Sequence, residues 1–148
     1  MPTTDYLDFH KALNAATQAA HSAASILMMY ANNRADLIID RKCRNDLVSQ
    51  ADREAEQAIV SILHELTPEF GIVAEESGGQ TSGQATWYID PLDGTTNFLH
   101  GIPHFAVSIG LVAHAGTVLS TGTHALEHDT PVVSVVYDPS RQEIFTAV

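Results

Sequence analysis

A proline set directly behind a run of β-formers constrains how the middle of this chain folds. In Trp87 to His100, WYIDPLDGTTNFLH, the strand-forming residues Thr86 to Ile89 lead into Asp90-Pro91, and a proline has no N–H to give to a sheet ladder. The strand is therefore expected to stop at Asp90, with that carboxylate at the end of the sheet. Asp90 and Asp93 then stand across a turn fixed by Pro91, close enough for both carboxylates to bind one pair of divalent cations. Gly94 lacks a Cβ, so backbone N–H groups can come close to an anion. Thr95-Thr96-Asn97 opens a short helix whose N-terminal amides and dipole favour phosphate. Hard oxygen donors with no adjacent thiol or imidazole suit magnesium rather than zinc. The stretch reads as a metal and phosphate site.

The run Asp90-Pro91-Leu92-Asp93-Gly94-Thr95-Thr96-Asn97-Phe98 resembles the signature of the inositol monophosphatase family, magnesium-dependent and lithium-sensitive phosphomonoesterases. Ala74-Glu75-Glu76-Ser77 resembles the family's second acidic motif, at about the expected separation. Downstream, Phe105 to Leu111 (FAVSIGL) and Val135-Val136-Tyr137-Asp138-Pro139 also look like the family, so the resemblance extends from Asp46 to the end.

Composition excludes other classes. A hydrophobic fraction of 45% with 17% charged residues is an ordinary globular balance, and 148 residues suit one domain with a real core. The formal net charge of −11 argues against general nucleic-acid binding, and the only basic cluster, Arg41-Lys42-Cys43-Arg44, is short. One cysteine, Cys43, forms no internal disulfide. No apolar run reaches membrane-spanning length and no basic-then-apolar leader opens the sequence, so the expected location is the cytoplasm.

Along the chain, Leu7, Ala12, Ala16, Ala19, Ala20, Ala23, Ile26, Leu27 and Tyr30 recur at helical spacing, predicting a long alanine-rich helix from Thr4 to Ala31. Thr3, Thr4 or Asp5 would cap it, and Asn32-Asn33 would end it. Leu37 to Ile39 suggests a short strand, followed by a basic turn and a second strand ending near Leu47-Val48. Ser49 to Asp52 fits a capping box, and the helix behind it would bury Ala55, Ala58, Ile59, Ile62, Leu63 and Leu66. Arg53, Glu54 and Glu56 would form its wet face, and Thr67-Pro68 its end. Gly71 to Ala74 reads as a buried strand delivering Glu75 and Glu76 ahead of a glycine-rich loop, Ser77 to Gly83. Adjacent residues on a strand end point to opposite faces, so only one glutamate lines the site. Strands are also expected over His104 to Ala113, Val132 to Tyr137 and Glu143 to Val148, the last after a type I turn at Asp138 to Arg141. The segment His114 to Thr130 is longer than the tight hairpin that the family resemblance implies. His124 and His128 there would share a face only on a helix, and an exposed hairpin accounts for them without a metal.

The resemblance implies an α+β layered sandwich of the inositol monophosphatase and fructose bisphosphatase type, two helices on a mainly antiparallel sheet. It implies that Glu75, Asp90 and the Leu92 carbonyl hold one Mg²⁺, and that Asp90 and Asp93 hold a second. Glu75 and Thr95 would activate the attacking water, and Asp93, Gly94, Thr95 and Thr96 would contact the phosphate. An aspartate at the position of Asp52 lies near the metals in the family and acts through water, though helix capping explains Asp52 equally well. Arg41 or Lys42 matches a basic loop that the family places beside the site, or is a solvated turn. Family members continue through a second α/β half with a further metal-binding aspartate, so residues 1–148 are expected to be the truncated N-terminal part of such a domain. The full-length form is expected to be a homodimer acting on a small phosphate monoester, first of all inositol 1-phosphate. The alternatives are another sugar or nucleotide phosphate, and a non-catalytic domain that binds protein partners. A haloacid dehalogenase-type phosphatase would need a carboxylate two positions before Asp93, where Pro91 stands.

Overall fold

Alanine sets the spacing between the layers of this molecule. The computed structural model describes residues 6–34, 41–75, 78–80, 83–119 and 124–148. Helix α1 (Phe9–Arg34) buries Ala12, Ala15, Ala16, Ala19, Ala20, Ala23, Ala24 and Leu27 on one stripe, and leaves Asn14, Gln18, His21, Ser25 and Met29 in water on the other. The cap is Asp8, whose Oδ1 accepts the Lys11 N–H at 3.0 Å while its carbonyl accepts the Ala12 N–H at 3.0 Å. The expected caps, Thr3 to Asp5, lie outside the described residues, and the helix runs past Asn33 to Arg34.

Helix α2 (Arg41–Leu66) starts well before the capping box, which corrects two expectations. The basic cluster Arg41 to Arg44 is helical rather than a turn, and Leu47-Val48 is helix rather than the end of a strand. Val48, Ala51, Asp52, Ala55, Ile59 and Leu63 form one buried stripe, so packing against α1 extends the helix through Ser49 and outweighs that residue's preference for a cap. Glu56, expected on the wet face, is buried at 5% exposure beside Asp52. The strand expected over Leu37 to Ile39 lies outside the described residues. At the far end, Thr67 closes the helix as expected: its N–H and hydroxyl both donate to the Leu63 carbonyl, at 2.8 and 2.7 Å.

Six strands follow: β1 (Gly71–Ala74), β2 (Gly78–Gln80), β3 (Ala85–Asp93), β4 (Ala106–Ala113), β5 (Thr130–Asp138) and β6 (Glu143–Ala147), with the short helix α3 (Thr95–Leu99) between β3 and β4. They form one sheet in the order β2-β1-β3-β4-β5-β6, antiparallel except for the β1–β3 pair. The expected architecture of two helices on a mainly antiparallel sheet is therefore present, and β2 is a strand that the glycine-rich loop had concealed. Alternation puts Trp87 and Ile89 of β3, Val107, Ile109 and Leu111 of β4, and Val133 and Val135 of β5 under the helices. Trp87, fully buried, ties the layers together: its Nε1–H donates to the Thr67 hydroxyl at 2.9 Å, and its ring meets Phe70 edge-on.

The long β4–β5 connection folds back on the sheet. His114 Nδ1 donates to the Gly83 carbonyl at 2.8 Å, and its Nε2 is hydrogen-bonded to the Thr86 hydroxyl at 2.7 Å. Val118 bridges Ala125, and Leu119 bridges Leu7. His124 and His128 are exposed and not helical, so they do not share a helix face. Among the described residues no helix is long and apolar enough to cross a membrane.

Candidate active site

Pro91 does not stop β3. The ladder with β4 resumes beyond it, Asp90 opposite Ser108 and Asp93 opposite Ala106, so the proline falls in a bulge where β3 carries one residue more than its partner. Pairing with β1 ends at Ile89, which leaves that side of Pro91 without a ladder to break. The bulge also sets direction. Regular alternation would turn Asp90 and Asp93 to opposite faces, but their partners, Ser108 and Ala106, share a face, and the extra residue brings both aspartates out on the same side.

That side is the one away from the helices, since Ile89 points into the core and Asp90 follows it. Glu75 arrives there from β1. Ala74 is in parallel register with Ile89, and the Glu75 N–H donates to the Ile89 carbonyl at 3.2 Å, which sets Glu75 level with Asp90. The two carboxyl groups lie close enough for Glu75 to act on Asp90. Burial foremost, then the hydrogen bond and charge of Glu75, with a smaller push from the Asp93 charge, raise the Asp90 carboxyl to about 6 against the pull of the Leu92 N–H. The Leu92 N–H reaches Asp90 Oδ1 at 3.2 Å.

Gly94 follows with φ 93°, a left-handed turn that favours glycine, and a Cβ placed there would stand 3.0 Å from the His104 carbonyl oxygen. The turn opens α3 at Thr95 as expected. Thr95 Oγ1 donates to the Leu92 carbonyl at 3.2 Å, Thr95 and Thr96 are exposed, and Phe98 anchors the helix by an edge-on contact with Phe105. Asp52 is 8% exposed on α2, which packs against both β3 and α3. Glu76 lies outside the described residues.

The donor set is all oxygen: carboxyls of Glu75, Asp90 and Asp93 on one side of the sheet, with the Leu92 carbonyl in the bulge. Its chemistry fits a hard divalent cation. Among the described residues no three His, Cys, Asp or Glu side chains converge tightly enough to enclose an ion. A neighbouring group went unnoticed in the sequence, where Asp138 to Arg141 read only as a turn. Arg141 Nη1 donates to Asp138 Oδ2 at 2.8 Å and to His104 Nδ1 at 3.2 Å, and Asn97 Nδ2 donates to the His104 carbonyl at 2.9 Å. Burial pushes the Asp138 carboxyl up, but Arg141 outweighs it and holds the group below its usual value.

Two helices packed on a mixed, mostly antiparallel six-stranded sheet make a layered α+β fold of the inositol monophosphatase-like class. The chain belongs to the inositol monophosphatase family, whose sequence profile matches residues 8–148. It is 41% identical to the inositol-1-monophosphatase of Synechocystis sp. over 143 residues, 95% of this chain and 44% of that protein. It is 40% identical to the Nus factor SuhB of Xylella fastidiosa over 136 residues, 92% of this chain and 44% of that protein. The structure of inositol monophosphatase from Anabaena (Nostoc) sp. PCC 7120 superimposes with a TM-score of 0.69 at 33% identity, covering 96% of this chain and 45% of that one. The chain thus spans less than half the length of the relatives it matches.

Proposed function

We propose that this chain carries the metal- and phosphate-binding part of a magnesium-dependent phosphomonoesterase that hydrolyses inositol 1-phosphate to inositol and phosphate. The observation that supports it is the juxtaposition of Glu75 and Asp90 where the parallel strands β1 and β3 end level, with Asp93 turned to the same side by the bulge. A purely structural sheet gains nothing from like charges held together. Glu75, Asp90 and the Leu92 carbonyl would hold one Mg²⁺, and Asp90 with Asp93 a second, completed by a carboxylate from outside these 148 residues. Magnesium, when bound, neutralises the phosphate dianion and lowers the pKa of a water. Glu75 then takes the proton of the attacking water, and the Thr95 hydroxyl, its own proton directed at Leu92, offers lone pairs that orient that water. The Leu92 carbonyl has a second lone pair free of that bond. Amides of Gly94 and Thr95, with Thr96, cradle the phosphate, and Asp52 stands on α2, which packs against the α3 helix that this turn opens. No side-chain nucleophile is required.

The test is phosphate release from inositol 1-phosphate with and without magnesium, and with added lithium. Magnesium-dependent, lithium-inhibited release supports the reading. No release, either from the chain alone or with the C-terminal half of a relative supplied in trans, sinks it. The Xylella relative's name carries a second reading, that this chain serves as a Nus factor. The two separate on one variant: Asp93→Asn removes hydrolysis but leaves a role that rests on partner contacts.

A further inference from the structure

Arg141 is one of only seven Lys and Arg residues in a chain with eighteen carboxylates, and the fold brings it to the end of the sheet that carries the acidic site. β3 ends there, β4 begins there, and β5 ends there at Asp138, because β4 is antiparallel to both. Contacts run without a gap from this arginine to the proposed phosphate cradle. Asp138 fixes Arg141 from two sides, Oδ2 accepting from Nη1 at 2.8 Å and Oδ1 from the Arg141 N–H at 3.1 Å. The same Nη1 donates to His104 Nδ1 at 3.2 Å. A guanidinium only donates, so His104 Nδ1 carries its lone pair and the ring is held in one tautomer and orientation. The His104 carbonyl, in turn, accepts from Asn97 Nδ2 at 2.9 Å and abuts Gly94, whose missing Cβ would lie 3.0 Å away. The residue whose backbone supports both the first turn and the middle of α3 is thus the one that Arg141 holds.

We propose that Arg141 is a positioning residue for the phosphate cradle at Gly94 to Thr96, acting through His104 rather than by touching substrate. This inference rests on the phosphatase reading for what the cradle binds. Stability alone does not explain the contact: the Arg141 side chain is 53% exposed, and exposed ion pairs contribute little to folding. Orientation remains, because one nitrogen bonded to two acceptors fixes the ring on which the turn rests.

Amide hydrogen exchange on the 148-residue chain tests the coupling without any ligand. In Arg141→Ala, the Phe98 and His100 amides, which donate within α3 to Gly94 and Thr96, should exchange about threefold faster or more, while amides of β4 keep wild-type rates. Arg141→Lys should recover most of that protection, since a single nitrogen makes both contacts. Titration with inorganic phosphate in magnesium is the second arm: Arg141→Ala should raise the phosphate Kd about threefold or more, with Mg²⁺ affinity and Tm unchanged. Unchanged α3 protection, a loss spread equally through β4, or phosphate binding equal to wild type overturns the inference. Wild-type chain that binds no phosphate in magnesium, either alone or with the C-terminal half of a relative supplied in trans, sinks the phosphatase reading instead, and the exchange rates still decide whether Arg141 holds α3.

Discussion

Glu75 and Asp90 sit side by side because one backbone bond, Glu75 N–H to the Ile89 carbonyl at 3.2 Å, carries the parallel pairing of β1 and β3 one residue past their last ladder pair. The β1–β3 pair is the one parallel pair in the sheet, and its strand ends point the same way. Two acidic motifs that are separate in sequence therefore finish level with each other.

That proximity gives the metal-free chain a pH dependence. Asp90 in the folded state is raised to about 6 from an ordinary 3.8, so between those values the folded chain holds a proton that the unfolded chain has released. Its contribution to stability is present at low pH and is lost as pH rises through that window. A cation that replaces the proton reverses the trend. In EDTA, Tm should fall between pH 4 and pH 7, and added Mg²⁺ should raise it more at pH 7 than at pH 5. Asp90→Asn should flatten both effects; an equal Mg²⁺ shift at the two pH values would place the ion elsewhere.

Asp93→Asn should lower phosphate release from inositol 1-phosphate by about a hundredfold or more, because it removes a carboxylate charge from the proposed metal site while preserving size. Asp93 is exposed and its ladder contacts are backbone, so circular dichroism and Tm should stay near wild type. Wild-type turnover in this variant would remove Asp93 from the site.

Gly94→Ala tests the turn. With φ at 93° and only 3.0 Å between the new methyl and the His104 oxygen, the variant should lose about 1–2 kcal/mol in denaturant unfolding and bind phosphate more weakly. Stability equal to wild type would mean that the turn relaxes without cost.

Thr67→Val deletes the acceptor of the Trp87 indole N–H, a donor that is fully buried. Leaving such a donor unpaired costs about 1–3 kcal/mol, to be read as a lower urea midpoint, whereas Thr67→Ser should stay close to wild type. A Val variant as stable as the parent would show that another acceptor reaches the indole.

Much of this was legible in the residues. The alanine period of α1, the alternation of β4 and the Asp138 turn are local patterns, and each formed the element it suggested. The start of α2 was not, because Ser49 to Asp52 carries the chemistry of a cap and only the buried stripe from Val48 onward shows that packing prevails. Pro91 misled for a related reason: its missing donor matters in a regular ladder, and a bulge is visible only through the partner strand. The carboxylates were identifiable by type, but their contact depends on strand register. Arg141 was missed outright, since nothing near it in sequence names His104 as its partner.

The seven buried alanines of α1 bear on how variation in this chain should be read. A saturation library scored for folding would be depleted there of nearly every side chain larger than methyl, while Asn14, Gln18, His21, Ser25 and Met29 would accept most replacements. The result would be a column of apparent invariance as strict as that at Asp90 or Gly94, arising from a ceiling on volume. A screen that counted intolerance alone would mistake a spacer for a catalyst.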